Sequence, residues 1–226
     1  MWASKNGHLE VVRLLLEKDA TVKTTMKSTG FTALMWASEK GHLELARLLI
    51  DKGADVNAAR SDNGYSTLMS ACFDGHLEIA RLLIDKGANV NAAQDDSGST
   101  FLMLASQEGH LEIARLLIDK GANVNAVTSD NGYSTLMAAC FNGRLEILHI
   151  LAFQGANVNA RTTNGRTALM IACTNGHYEI VRCLLERGGV NVNAARYIFG
   201  VTALDCAREK GYYKIAGLLR QHGAVY

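Results

Sequence analysis

Two patterns of apolar and polar residues alternate along almost the whole chain. Between Gly64 and Ser97 a first apolar run brings together Leu68, Met69, Ala71 and Cys72. A second places Leu77, Ile79, Ala80, Leu82 and Leu83 on one side and Glu78, Arg81 and Asp85 on the other. This is the periodicity of two short helices, the second clearly amphipathic. Ser66 has the chemistry of an N-cap for the first helix. Gly75 stands where a helix ends in a residue of positive φ, and Gly87 does the same after the second helix. The small Ala71 and Cys72 predict close approach by a neighbouring helix. Ala-Asn-Val-Asn-Ala then leads through a polar excursion to Gly98.

The whole phrase recurs. Gly-His-Leu-Glu starts at Gly7, Gly41, Gly75 and Gly109, and returns as Gly-Arg-Leu-Glu at Gly143, Gly-His-Tyr-Glu at Gly176 and Gly-Tyr-Tyr-Lys at Gly211. The interval is 34 residues four times, then 33, then 35. A fixed period of this length predicts a solenoid of stacked units, each too small to bury a core alone. Such arrays present long surfaces and bind; a catalytic pocket is the exception.

Gly-Ala-Asp-Val-Asn-Ala at Gly53 to Ala58, repeated as Gly-Ala-Asn-Val-Asn-Ala at Gly87, Gly121 and Gly155, closes the resemblance to a known family. Helix, turn, helix and protruding hairpin in this order resemble the ankyrin repeat, over essentially the whole chain and in at least five copies in register. The resemblance implies an all-α solenoid of helix-turn-helix units with protruding β-hairpin loops. It also implies that the Val-Asn-Ala hairpins at Asn57, Asn91, Asn125 and Asn159 are of the kind a 2-oxoglutarate-dependent asparaginyl hydroxylase modifies. Read from the residues alone, these Asn side chains hydrogen-bond the turn. Two departures stand out. The family's first helix usually opens Thr-Pro-Leu-His, whereas here it reads Thr-Ala-Leu-Met at Thr32 and Thr167 and Ser-Thr-Leu-Met at Ser66 and Ser134, in a chain without proline. Apolar packing by Met is expected to replace a polar His contact. Most copies also carry one extra hairpin residue, as in Ala-Ala-Arg-Ser-Asp-Asn-Gly from Ala58.

The expected organisation is one array over residues 1–226. A partial repeat covers 1–29, full repeats cover 30–63, 64–97, 98–131, 132–164 and 165–199, and a capping repeat covers 200–226. The first unit starts inside its first helix, and Lys18-Asp19-Ala20-Thr21-Val22-Lys23 replaces the glycine turn. It is expected to fray first. Trp2 does not read as a polar cap, which points to the C-terminal part of a longer array.

Composition narrows the class. Apolar residues make up 48% and the net charge is +1, which fits a soluble folded chain and argues against a phosphate-backbone binder. No apolar run approaches membrane-spanning length, and the N-terminal residues lack signal-peptide features. Cys72, Cys140, Cys173, Cys183 and Cys206 are odd in number and read as reduced, buried residues of a cytoplasmic protein. His8, His42, His76, His110 and His177 sit one repeat apart, too far for one metal ion, and no metal or nucleotide motif is present. Cofactors are therefore not expected. Arg13, Arg47, Arg81, Arg115 and Arg182 are each followed by an acid at i+4, predicting a self-neutralised convex face that His149 and Phe153 interrupt.

The positions that vary between copies carry the functional reading. By the family resemblance, the concave groove is lined by the hairpin tips, the residue after the turn glycine and the end of the first helix. Trp36, Glu39, Tyr65, Phe73, Asp74, Gln107, Glu108, Tyr133, Phe141 and Arg166 are the candidate partner-binding residues. Aromatic side chains at otherwise polar, variable positions suit a binding surface. Glu39, Asp74 and Glu108 predict a partner with a basic face. The expected function is a monomeric, non-enzymatic scaffold that binds a protein or peptide, without nucleic acid or membrane. Other readings are a targeting domain of a larger protein, or a designed binder, since 75–92 and 109–126 are identical. An enzyme or small-ligand binder would need a deep pocket with convergent polar groups.

Overall fold

A computed structural model describes every residue except Thr29, Asp95 and Tyr226. The chain divides into two compact units, Met1–Ala105 with Arg115–Ala122, and Ser106–Ala114 with Asn123–Tyr226.

The first unit holds α1 (Trp2–Lys5), α2 (Leu9–Glu17), α3 (Ala33–Glu39), α4 (Leu43–Asp51), α5 (Thr67–Phe73) and α6 (Leu77–Asp85), with parts of α7 (Phe101–Glu108) and α8 (Leu111–Asp119). First helices pack on first helices, α1 on α3 and α3 on α5, while α2 packs on α4 and α4 on α6. The second unit holds the rest of α7 and α8, then α9 (Thr135–Phe141), α10 (Leu145–Phe153), α11 (Ala168–Asn175), α12 (Tyr178–Glu186), α13 (Ala203–Glu209) and α14 (Tyr213–Gln221). It repeats the same arrangement: α9, α11 and α13 pack in one row, and α10, α12 and α14 in another.

Local chemistry starts each first helix. The Ser66 hydroxyl accepts from the Met69 backbone N–H at 3.4 Å, as the N-cap reading requires. The methionines do more than pack. Thr32 accepts from the Met35 N–H at 3.1 Å, and the Met35 thioether accepts from the Thr32 N–H at 3.4 Å. Ser134 and Met137 repeat this reciprocal cap at 3.3 and 3.5 Å. In the last repeat Asp205 takes the same role, its carboxylate accepting from the Thr202 N–H at 2.9 Å. Sulfur thus supplies the acceptor that a Glu or Gln provides in an ordinary capping box.

The repeated glycine–histidine pair joins neighbouring repeats. Gly41 has φ +76°, and a Cβ there would lie 2.7 Å from the His76 ring. That ring covers the glycine and donates through Nε2 to the Glu39 carbonyl at 2.9 Å. His42 reaches the Lys5 carbonyl at 3.2 Å in the same way. In the second unit His177 reaches the Phe141 carbonyl at 2.9 Å, and Arg144 serves the Gln107 carbonyl at 3.2 Å. Among the described residues no cluster of three or more His, Cys, Asp or Glu side chains could hold a metal ion.

Each hairpin is closed by a single antiparallel bridge, such as Ala59 with Ser66 and Arg161 with Thr167. Below the tips runs a ladder of asparagines. The Asn57 amide donates to the Gly87 carbonyl at 3.1 Å, and its oxygen accepts from the Asn89 N–H at 3.0 Å. Asn91 donates to the Gly121 carbonyl at 3.0 Å. In the second unit Asn125, Asn159 and Asn193 donate to the carbonyls of Gly155, Gly189 and Gly223. Contrary to the reading from residues alone, these side chains bind the turn of the next repeat, while their own turn is held by the residue two before, as where the Asn57 N–H donates to Asp55 Oδ1 at 2.9 Å.

The outward helix faces keep the expected i+4 pair at Arg182 and Glu186 but pair differently elsewhere. Arg13 and Arg47 turn back to Glu10 and Glu44, while Arg182 reaches both Glu179 at 2.6 Å and Glu186 at 3.7 Å. Asp51 and Asp85 instead meet Lys86 and Lys120 of the following repeat, at 3.8 and 2.9 Å. All five cysteines are free and buried. No described helix is long and apolar enough to cross a membrane.

Candidate functional site

The candidate residues fall into one group on each unit. In the first unit, Tyr65 follows the turn glycine Gly64. Its backbone is held by the Asn63 side chain, which accepts from the Tyr65 N–H at 3.0 Å. The ring lies 6.1 Å from Phe31. Burial pushes the phenol's pKa up to about 12. Phe73, at the end of α5, is nearly half exposed. Trp36 is less free than its sequence position implies. Its ring stacks on Phe31 at 4.4 Å, and the Lys5 ammonium sits 4.5 Å above it. The Trp36 indole N–H is buried without a hydrogen-bond partner among the described residues. Phe31, also a post-glycine residue, is buried, because Trp36, Tyr65 and the Arg60 guanidinium at 5.4 Å surround it.

The acidic character of this group is partly cancelled. Lys40 binds Glu39 at 2.7 Å. The hydrogen bond to Glu39, and the charges of Glu39 and Asp74, hold the Lys40 ammonium above its usual pKa. Asp74 itself is exposed at the C-cap of α5.

In the second unit, Tyr133 donates its hydroxyl to the Met137 carbonyl at 3.1 Å, and its backbone N–H donates to Thr128 Oγ1 at 3.0 Å. Burial raises its phenol to about 12, and the positive charge of Arg166 acts in the opposite sense. Phe141 is nearly half exposed at the end of α9. Gln107 donates to Glu108 at 3.2 Å, and its carbonyl collects Asn142 at 2.8 Å and Arg144 at 3.2 Å. Arg166 is partly buried, its N–H bonded to Thr162 Oγ1 at 2.9 Å. The structure therefore joins Gln107 with Glu108 by a side-chain hydrogen bond, while Arg166 acts on Tyr133 through its charge alone. It also adds Asn142, whose only sequence signal is its place at a helix end.

Cys183 lies in the second-row helix α12, outside the Ala-Cys packing position, with its sulfur 3.7 Å from His149 Nδ1. Burial raises the pKa of this thiol, which disfavours the thiolate. Four clefts lined by described residues measure about 210, 220, 250 and 350 Å³. Small-molecule sites usually occupy about 300–1,000 Å³.

Comparison with protein families agrees with this geometry. A family model described as ankyrin repeats matches in three copies, over residues 1–60, 58–128 and 136–226. The chain belongs to the ankyrin-repeat family. Ankyrin repeats generally mediate protein–protein interaction and are typically non-enzymatic. A search of curated proteins found no match.

Proposed function

We propose that this chain is a non-enzymatic interaction scaffold, acting as a monomer, that holds a protein partner on the exposed helix-end aromatics of its repeats. The observation that carries this reading is the pairing of an open ring with a fixed one. Phe73 and Phe141 stay nearly half exposed at the helix ends, while in the same repeats Tyr65 is held through its backbone N–H by Asn63 and Tyr133 through its hydroxyl by the Met137 carbonyl. The pre-positioned tyrosine loses little entropy on binding, and the exposed phenylalanine of the same repeat offers the apolar area. Asp74 and Glu108 favour a partner with basic residues at its rim, and salt should weaken the complex.

Titration calorimetry with the identified partner, at two salt concentrations, tests this. Tyr65→Ala with Phe73→Ala, or Tyr133→Ala with Phe141→Ala, should weaken binding about 30-fold, by the scale of buried aromatic anchors. Arg81→Ala, on the opposite face, should change little. Binding lost in Arg81→Ala and kept in both aromatic pairs would place the partner elsewhere.

A further inference from the structure

The last hairpin breaks the rule of the others. Their tips are polar: Ser61-Asp62-Asn63, Asp96-Ser97, Ser129-Asp130-Asn131 and Thr163-Asn164. The corresponding tip in the second unit is Tyr197-Ile198-Phe199, and its side chains are 65%, 61% and 94% exposed. Three consecutive large apolar residues facing water are unusual at a loop tip, where nothing in the fold is gained by them.

The backbone adds a second, independent oddity. Phe199 has φ +64°, in the left-handed region that bulky residues rarely adopt. Its counterparts Asn63, Ser97, Asn131 and Asn164 are not in that region, although Asn tolerates it far better. The ring gains no burial in exchange. The strain holds an aromatic side chain outward, a kind of local cost that clusters at binding sites.

Charge indicates what the tip meets. Between Ala156 and Tyr178 the charged residues, histidine aside, are Arg161 and Arg166, and between Gly188 and Leu204 there is Arg196 alone. These two neighbouring fingers thus carry three arginines and no carboxylate, whereas the earlier tips carry Asp62, Asp96 and Asp130. The fingers are fastened together. The Tyr197 N–H donates to the Asn164 carbonyl at 3.2 Å, Arg161 donates to the Ala195 carbonyl, and the Arg161 guanidinium lies 4.7 Å from the Tyr197 ring centre. The Nε atoms of Arg161 and Arg196 are buried with no hydrogen-bond partner among the described residues. Arginine, with its planar fork, favours carboxylates.

We infer that the Tyr197–Phe199 finger is a second docking element, separate from the helix-end aromatics, that captures an acidic linear segment with interspersed large apolar residues. Apolar side chains of the segment pack on Ile198 and Phe199. Its carboxylates face Arg161, Arg166 and Arg196.

The test selects peptides from a random phage-displayed library on the immobilised full chain and titrates the synthetic winners. Enriched peptides should combine Asp or Glu with Phe, Leu or Trp. Their affinity should fall about tenfold or more on Ile198→Ser with Phe199→Gly, fall with Arg196→Gln and with added salt, and survive Phe141→Ser. Phe199→Gly alone should melt at the same temperature or higher, because glycine relieves the φ strain, so loss of binding cannot be ascribed to unfolding. The inference is overturned by a selection without acidic, finger-dependent peptides. It is equally overturned by winners that respond to Phe141→Ser and ignore the finger, a result that would leave the helix-end reading standing. Finger-dependent sedimentation with phosphatidylserine vesicles, in the absence of peptide binding, would assign the finger to a lipid surface instead.

Discussion

The first and second repeats carry almost the same amphipathic helix and bury it very differently. In α4, Leu45 and Leu49 are 2% and 1% exposed; in α2, the equivalent Val11 and Leu15 are 47% and 48% exposed. Sequence does not explain the gap, since Leu-Glu-Leu-Ala-Arg-Leu-Leu-Ile and Leu-Glu-Val-Val-Arg-Leu-Leu-Leu have the same periodicity. Position does. Among its own row, α4 has α2 on one side and α6 on the other, whereas α2 packs on α4. A repeat of this kind owns half an interface, and its core exists only where a neighbour supplies the other half.

The two repeats also differ in their turns. The first has Asp19 where the second has Gly53, yet both residues are left-handed, at φ +62° and +84°. It has Lys23 where the second has Asn57, so the side-chain clip that Asn57 sends to the Gly87 carbonyl has no equivalent one repeat earlier.

The largest expected effect breaks the comparison at its root. Leu49→Ala should destabilise the chain by roughly 2–5 kcal/mol, as a buried leucine leaving a cavity does. Leu15→Ala should cost about 1 kcal/mol or less, as exposed sites do. Thermal melts of both variants decide it, and equal losses would mean that the exposed face of α2 is covered in solution. Next comes the clip. Asn57→Ala should cost about 1–2 kcal/mol, from two net hydrogen bonds. Lys23→Asn should restore roughly half of that to the first repeat, seen as slower hydrogen exchange over residues 1–29. Asp19→Gly should stabilise the same segment by about 1 kcal/mol, by relieving a left-handed non-glycine residue. Gly53→Ala should lose a similar amount. Its Cβ would meet nothing within 4 Å, so the penalty is purely conformational. Before any substitution, exchange over residues 1–29 should outpace that over 30–63.

The smallest effect concerns pH. Tyr65 and Tyr133 have phenols raised from 10.0 to about 12 in the folded chain. A raised pKa favours the folded state while the phenol is protonated. That contribution is therefore complete below pH 10 and is lost as pH climbs through 12. Phe31, at the same repeat position, has no proton to lose. Tyr65→Phe with Tyr133→Phe should flatten the alkaline decline in melting temperature, and an unchanged decline would assign it to other groups.

Much of this was legible beforehand, for a definite reason. The period places the helices, the N-caps of the first helices and most turn glycines, because these depend on backbone phase: Ser66 caps, Gly41 takes positive φ, and Cys72 and Cys140 are buried. What phase cannot supply is the choice a long side chain makes among partners of similar reach. Asp51 prefers Lys86 to Arg47 of its own helix, and Met35 uses its sulfur as an acceptor. Trp36 and Phe31 turn toward each other, since a large ring next to another gains more from contact than from water. The phase of the repeat does not show that the Tyr197–Phe199 tip points outward. Its exposure and its left-handed Phe199 are properties of the folded backbone.

The asparagine ladder has a consequence for the tips. By fastening each hairpin at its base to a neighbouring carbonyl, Asn57, Asn91, Asn125, Asn159 and Asn193 hold the spacing of successive modules without using the tips at all. Two-residue and three-residue tips, acidic and aromatic ones, sit on the same base. The fingers can therefore change residue by residue without disturbing the bonds beneath them. The step from Ser-Asp-Asn to Tyr-Ile-Phe is what such freedom looks like within one chain.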